Sequence, residues 1–200
     1  QSIVVNAGCA NSGTGRRGIK DAEEMAALTA INLGVKKRHV LVASTGVIGE
    51  YLPMEKNRRG IKEAAELIKS GDSLSPRTFA QAIMTTDTVP KVVERKMVLN
   101  NKEIRFWAAA KGSGMIHPKL ATMLSFILTD ARISSSFLYE ALRKAVKHSF
   151  NALTVDGETS TNETVIIMAS GKAGNKPIGK GCTDFQKSQG HVTGLLARLL

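Results

Sequence analysis

Apolar positions along this chain come in two kinds, short continuous runs and longer stretches of helical period, and their order predicts strands interleaved with helices. Ile3-Val4-Val5 reads as a strand feeding a glycine-rich loop, Asn6 to Gly15. Asp21 to Leu33 then carries Met25, Leu28 and Ile31 on one face, with Asp21 and Glu24 spaced as a capping box and Gly34 as the stop. His39 to Ala43 is a second strand that ends in Ser44-Thr45-Gly46-Val47-Ile48-Gly49. Arg58 to Lys69 predicts a second amphipathic helix with Ile61, Ala64, Ala65 and Ile68 on its apolar face, stopped by Gly71. A short helix starts at Ser75-Pro76, serine as cap and proline in the first turn, and turns Phe79, Ala82 and Ile83 inward.

The second half changes character. Val92 to Leu99 and Glu103 to Ala110 read as a hairpin around Asn100-Asn101, a pair that tolerates left-handed backbone. Thr122 to Leu128 is apolar enough for a strand buried on both faces. A helix over Ser135 to Ser149 puts Leu138, Leu142, Ala145 and Val146 toward the core, and a polar loop leads to a further buried strand, Val165 to Met168. Gly171 to Thr183 is a Gly/Lys-rich loop, and His191 to Leu200 opens a helix with leucines on one face and no stop signal. Strands alternating with helices and interrupted by a hairpin predict an α/β fold with mixed sheets layered with helices.

Composition narrows the class more than the function. With 42% hydrophobic and 22% charged residues in 200, the chain suits one substantial core or two small ones, and it has no apolar run long enough to span a membrane. The opening residues lack the basic start of a signal peptide, and a chain that begins directly in a strand reads as a fragment or a processed start. The formal charge is +11, but the basic residues are scattered and aromatics make up only 4%, so a base-stacking surface for nucleic acid is not indicated. Solvated basic surface, or attraction of anionic substrates, fits better. Cys9 and Cys182 are isolated and the four histidines do not cluster, which predicts a reducing, cytoplasmic setting, no metal site and no cofactor.

Candidate chemistry concentrates at Lys111-Gly112-Ser113-Gly114-Met115-Ile116-His117-Pro118-Lys119-Leu120-Ala121-Thr122. A hydroxyl residue after a small one, at the mouth of a buried strand, is where a chain can cut itself and expose a new N-terminal threonine. Its freed α-amino group, with an ordinary pKa of about 8, can take the hydroxyl proton near neutral pH. The same pattern also fits a threonine that simply opens a strand. Thr45-Gly46 at a strand end supplies donors of the kind an oxyanion hole needs, or forms a plain glycine turn. Lys111, where the hairpin's second strand runs into the glycine loop, can bind a carboxylate or be a solvated loop lysine.

Read together, Ser44 to Gly49, Met84-Thr85-Thr86-Asp87-Thr88, Lys111 to Asp130 and Asp156-Gly157-Glu158-Thr159-Ser160-Thr161-Asn162 resemble the ornithine acetyltransferase (glutamate N-acetyltransferase) family, in the family's order and across nearly the whole chain. The resemblance implies the family's self-processing, N-terminal-nucleophile-like α/β fold. It implies autoproteolysis between Ala121 and Thr122 into an α segment (1–121, with more chain before it) and a β segment (122–200, with more chain after it). It also implies Thr122 as nucleophile, Thr45 and Gly46 as the oxyanion hole, Thr85 and Lys111 as substrate contacts, and 156–162 as a supporting loop. The implied reaction moves acetyl from N2-acetylornithine to glutamate in arginine biosynthesis, with acetyl-CoA as a second donor in some relatives and a heterotetramer as the assembly. A glutamate just beyond Leu200, and an asparagine and a hydroxyl residue further on, are implied to complete the substrate site, so the activity of these 200 residues alone is in doubt. The alternatives are a self-cleaving amidase or aminopeptidase, in which water resolves the acyl-enzyme, and a non-catalytic basic module that binds anions.

Overall fold

The computed structural model describes residues 1–71, 75–99, 101–113, 116–117, 120–121, 123–150 and 161–179, with 190 and 194. They form two compact units, Gln1–Thr85 and Thr86–Leu200.

In the first unit, β1 (Ser2–Cys9) pairs in parallel with β2 (Val40–Val47), and α1 (Gly15–Leu33) makes the crossover. Met25 on α1 meets Cys9, Leu52, Met54 and Ile61 in one small core, and Ala26 and Ala30 meet Val40 in another. α2 (Met54–Ser70) packs beside α1 and contributes Met54, Ile61 and Ala65 as its buried stripe, a spacing of seven and four that stays on one helical face. Ala64 and Ile68, expected on that face, are exposed. α3 (Pro76–Ala82) follows the cap expected for it, with Ser75 Oγ accepting from the Arg77 N–H at 3.2 Å. Its inward residues are Ala80 and Ile83, while Phe79 and Ala82 face out.

The first helix begins six residues before the expected Asp21. Thr14 stands at its N-cap position, and the Thr14 hydroxyl donates to the Asn11 backbone and side-chain oxygens at 3.1 and 3.0 Å. A side chain at Gly18 would overlap the Thr14 hydroxyl, so glycine there lets the first turn wind tightly over Asn11. Asp21 and Glu24 therefore sit inside the helix, not in a capping box, and Glu24 instead pairs with Arg58 of α2 at 2.6 Å on the surface. The second strand likewise does not stop at Thr45-Gly46 but runs through them to Val47.

In the second unit a mixed four-stranded sheet has the order β3 (Lys91–Leu99), β4 (Lys102–Lys111), β7 (Leu124–Thr129), β8 (Thr164–Ala169). The first two pairings are antiparallel and β7 pairs in parallel with β8. Asn101, at φ 58°, takes the left-handed turn position of the β3–β4 hairpin. β7 is buried at every position except Leu128, which is 42% exposed, as a central strand between two neighbours must be. One sheet face, with Met97, Ile104, Phe106, Ala108 and Ile127, packs against Phe137, Ala141 and Ala145 of α4 (Ser135–Lys147). Leu138, Leu142 and Val146, expected to lead that helix face, flank it half-buried. Buried Asn175 ties the following loop down, accepting from the Arg132 N–H at 2.8 Å and donating to Lys176 O at 2.7 Å. Between β4 and β7 lies a two-stranded ribbon, β5 (Ile116–His117) and β6 (Leu120–Ala121). Thr122, most of the 150–164 polar loop and most of the C-terminal helix expected at His191 to Leu200 lie outside the described residues.

Phe106→Ala empties the centre of the second unit's core and is expected to cost about 3–5 kcal/mol in urea unfolding. Val98→Ala, at a position 70% exposed on the same sheet, is expected to stay within about 0.5 kcal/mol of wild type.

Candidate active site

The glycine loop that follows β4 is built on a buried lysine. Lys111 ends β4, is 3% exposed, and stands in register with Leu124, two residues after Thr122. An ammonium group held away from water is costly in its charged form. Burial accordingly pushes the Lys111 pKa below 10.5, Asp87 pulls it back up, and Lys91 pushes it down again.

Asp87 and Lys91 were not singled out by the sequence pattern, and they frame this lysine. Lys91 Nζ donates to Asp87 Oδ1 at 2.7 Å and to Gly112 O at 2.9 Å, while the Gly112 N–H donates to the same Asp87 oxygen at 2.8 Å. Both polar groups of one peptide-linked glycine are thus gripped by one acid–base pair. Gly112 itself has φ 150°, a conformation few other residues adopt without strain. Thr86 and Ser113 bring their hydroxyls to 2.6 Å and continue the seam. The signal that could have revealed the pair is the spacing of Asp87 and Lys91, four residues apart at the end of the threonine motif.

Thr45 and Gly46 stand in the first unit, adjacent on β2. Gly46 has φ 130° and is opposite Gly8, at φ 109°; a Cβ at Gly46 would overlap the Gly8 carbonyl carbon, so glycine at 46 lets the parallel strands approach. Thr45 is fully buried, and its hydroxyl has no hydrogen-bond partner among the described residues. A buried hydroxyl left without a partner costs about 1–3 kcal/mol, which marks Thr45 as a donor that this part of the fold does not use. Thr85 is exposed in the turn after α3, at the end of the same unit. Ala121 closes β6, and the chain re-enters regular structure at Leu124. The structure therefore sets Lys111 opposite Leu124 and leaves Thr45, Gly46 and Thr85 in the other unit, while Thr122 lies outside the described residues. Asp156 to Ser160 lie outside the described residues.

Comparison with known proteins bears on these positions together. The family model described as the ArgJ family matches residues 1–200. The chain belongs to the ArgJ family. Among curated relatives, an arginine biosynthesis bifunctional protein ArgJ from Geobacillus kaustophilus is 51% identical over 93% of this chain, and one from Thermotoga neapolitana is 50% identical over 94%. The chain spans less than half the length of these ArgJ relatives, 45% and 46% respectively. A crystal structure of the arginine biosynthesis bifunctional protein argJ from Bacillus halodurans has a TM-score of 0.52 and 39% identity, covering 61% of each chain. The mixed α/β architecture is thus that of an ArgJ protein. Among the described residues no group of three metal-ligating side chains occurs, and no helix is long and apolar enough to cross a membrane.

Lys111→Met tests the energetic reading of this ArgJ-family site. A lysine whose pKa is lower folded than unfolded binds fewer protons when folded, so the wild type gains stability as pH rises from that folded value toward 10.5. The variant is expected to be more stable than wild type near neutral pH in urea unfolding, with the advantage shrinking as pH rises toward 10.5.

Proposed function

We propose that this chain is the central part of an acetyltransferase of arginine biosynthesis that cuts itself between Ala121 and Thr122 and uses the freed threonine as nucleophile. The observation that carries this is the β4–β7 register, in which buried Lys111 lies opposite Leu124, two residues from Thr122, within a chain of the ArgJ family. In the first act Thr122 Oγ attacks the Ala121 carbonyl carbon, the Ala121-Thr122 amide becomes an ester, and water cleaves it. The α segment then ends in the Ala121 carboxylate, and Thr122 gains a free amine. In the second act that amine takes the hydroxyl proton while Oγ attacks the acetyl carbonyl of N2-acetylornithine. Ornithine leaves as the amine with the proton, and acetyl remains on Thr122 as an ester. The amine of glutamate attacks the ester next, N-acetylglutamate departs, and the threonine hydroxyl is restored. Acetyl-CoA is a further donor compatible with the same acyl-threonine.

The roles of the remaining residues follow from their chemistry. Lys111 supplies a positive charge for a substrate carboxylate, Thr85 a hydroxyl contact, and Thr45 with Gly46 the donors for the developing oxyanion. The unpartnered Thr45 hydroxyl supports the last assignment. In the whole protein the α and β segments assemble as a heterotetramer in the cytoplasm.

Intact mass of the wild type beside Thr122→Ala, followed by N-terminal sequencing, tests the first act in this chain and in the same chain extended to its relatives' length. Two fragments in the wild type alone, one beginning Thr-Met-Leu-Ser, are expected. An uncut wild-type chain at full length contradicts the reading.

A further inference from the structure

The acid–base pair at the start of β3 takes no part in the chemistry just described, yet its placement is not that of a surface salt bridge. The Asp87 carboxylate is 1% exposed and Lys91 is 30% exposed. A buried pair contributes little net stability over apolar packing of the same volume, so its use lies more often in fixing a geometry. Here the geometry is that of one residue, held through the two peptide groups that flank its Cα. Asp87 Oδ1 holds the Gly112 N–H and Lys91 holds the Gly112 carbonyl, at the residue where β4 gives way to the loop. Gly112 is bonded directly to Lys111, so the direction in which the lysine side chain leaves the strand depends on this grip.

We propose that Asp87 is a positioning residue for Lys111: with Lys91 it clamps Gly112 and so fixes the end of β4 from which the Lys111 ammonium group meets the carboxylate of an amino-acid substrate. This rests on the proposed function. The clamp also acts through charge. Two of the charges that act on Lys111 are Asp87, which favours its ammonium form, and Lys91, which opposes it. Its cross-strand neighbour Leu124 is apolar, and a further carboxylate, Glu163, lies one strand beyond, just before β8. A clamp that only held backbone would leave the proton affinity of Lys111 untouched. A clamp that tunes the lysine makes its two members act in opposite directions.

The test follows the Cε resonance of Lys111 across pH in protein carrying isotopically labelled lysine, assigned by its loss in Lys111→Arg. Asp87→Asn keeps the shape and an acceptor for Gly112 but removes the charge, and is expected to move the Lys111 titration to lower pH. Lys91→Met removes the competing cation and is expected to move it to higher pH. In chain of the relatives' full length the alkaline limb of kcat/KM for acetyl transfer is expected to shift in the same two directions. Unchanged titration in both variants, or shifts of the same sign, overturns the proposal. Should Asp87→Asn fail to fold, Lys91→Met decides: an upward shift supports the clamp, and no shift or a downward one overturns it. Because the resonance is read without turnover, titration shifts of opposite sign in a chain with no transferase activity uphold the clamp and sink the functional reading instead.

Discussion

A lysine ammonium group buried at the end of a central strand is the constraint on which the second unit depends. Left alone, such a group would shed its proton or draw water into the sheet. Here Asp87 offsets the loss of hydration, and Lys91 keeps the carboxylate itself from being an isolated buried charge. Asp87 and Lys91 also hold the backbone of Gly112, where the chain leaves β4 in a conformation few other residues share. From there the chain makes the β5–β6 ribbon and returns as β7 beside β4, which sets Leu124 opposite Lys111.

The first unit has a different governing constraint, the close approach of two backbones. Parallel strands β1 and β2 meet at Gly8 and Gly46, both at positive φ, with no space for a side chain on Gly46. That contact leaves Thr45 wholly inside, its hydroxyl unpaired among the described residues. Under the proposed function this expense is the preorganisation that a transition-state donor requires: the group is fixed in advance and is not engaged elsewhere. A strand running through Thr45-Gly46 holds such donors more rigidly than the turn that the sequence suggested.

Legibility in the sequence followed the strength of the local signal. Apolar runs flanked by turn residues gave β3, β4, β7 and β8 to within two residues at either end, most plainly for β7, which as a central strand is apolar on both faces. The Ser75-Pro76 start of α3 and the glycine stops at Gly34 and Gly71 were equally plain, since each is a local rule of backbone geometry. Helix starts were less so. Gly15 to Lys20 reads as loop by composition, yet it is helix, because Thr14 and Asn11 satisfy each other below its first turn. The candidate site residues Thr45, Gly46, Thr85, Lys111, Ala121 and Thr122 were proposed only from four motifs read in order, since none is distinctive alone. Asp87 and Lys91 were hidden for another reason: their four-residue spacing hints at a pair, but the backbone of Gly112 that they hold lies 25 and 21 residues away and leaves no pattern in sequence.

The central claim is that acetyl passes through Thr122. The measurement that addresses it most directly uses chain of the relatives' full length, incubated with N2-acetylornithine carrying an isotopically labelled acetyl group, quenched in acid and digested for peptide mass analysis. The account predicts one labelled acetyl on the peptide that begins at Thr122, discharged when glutamate is added and recovered in N-acetylglutamate. Label found on another residue, transfer without any acetyl-enzyme, or release of the label as acetate in the presence of glutamate would contradict it.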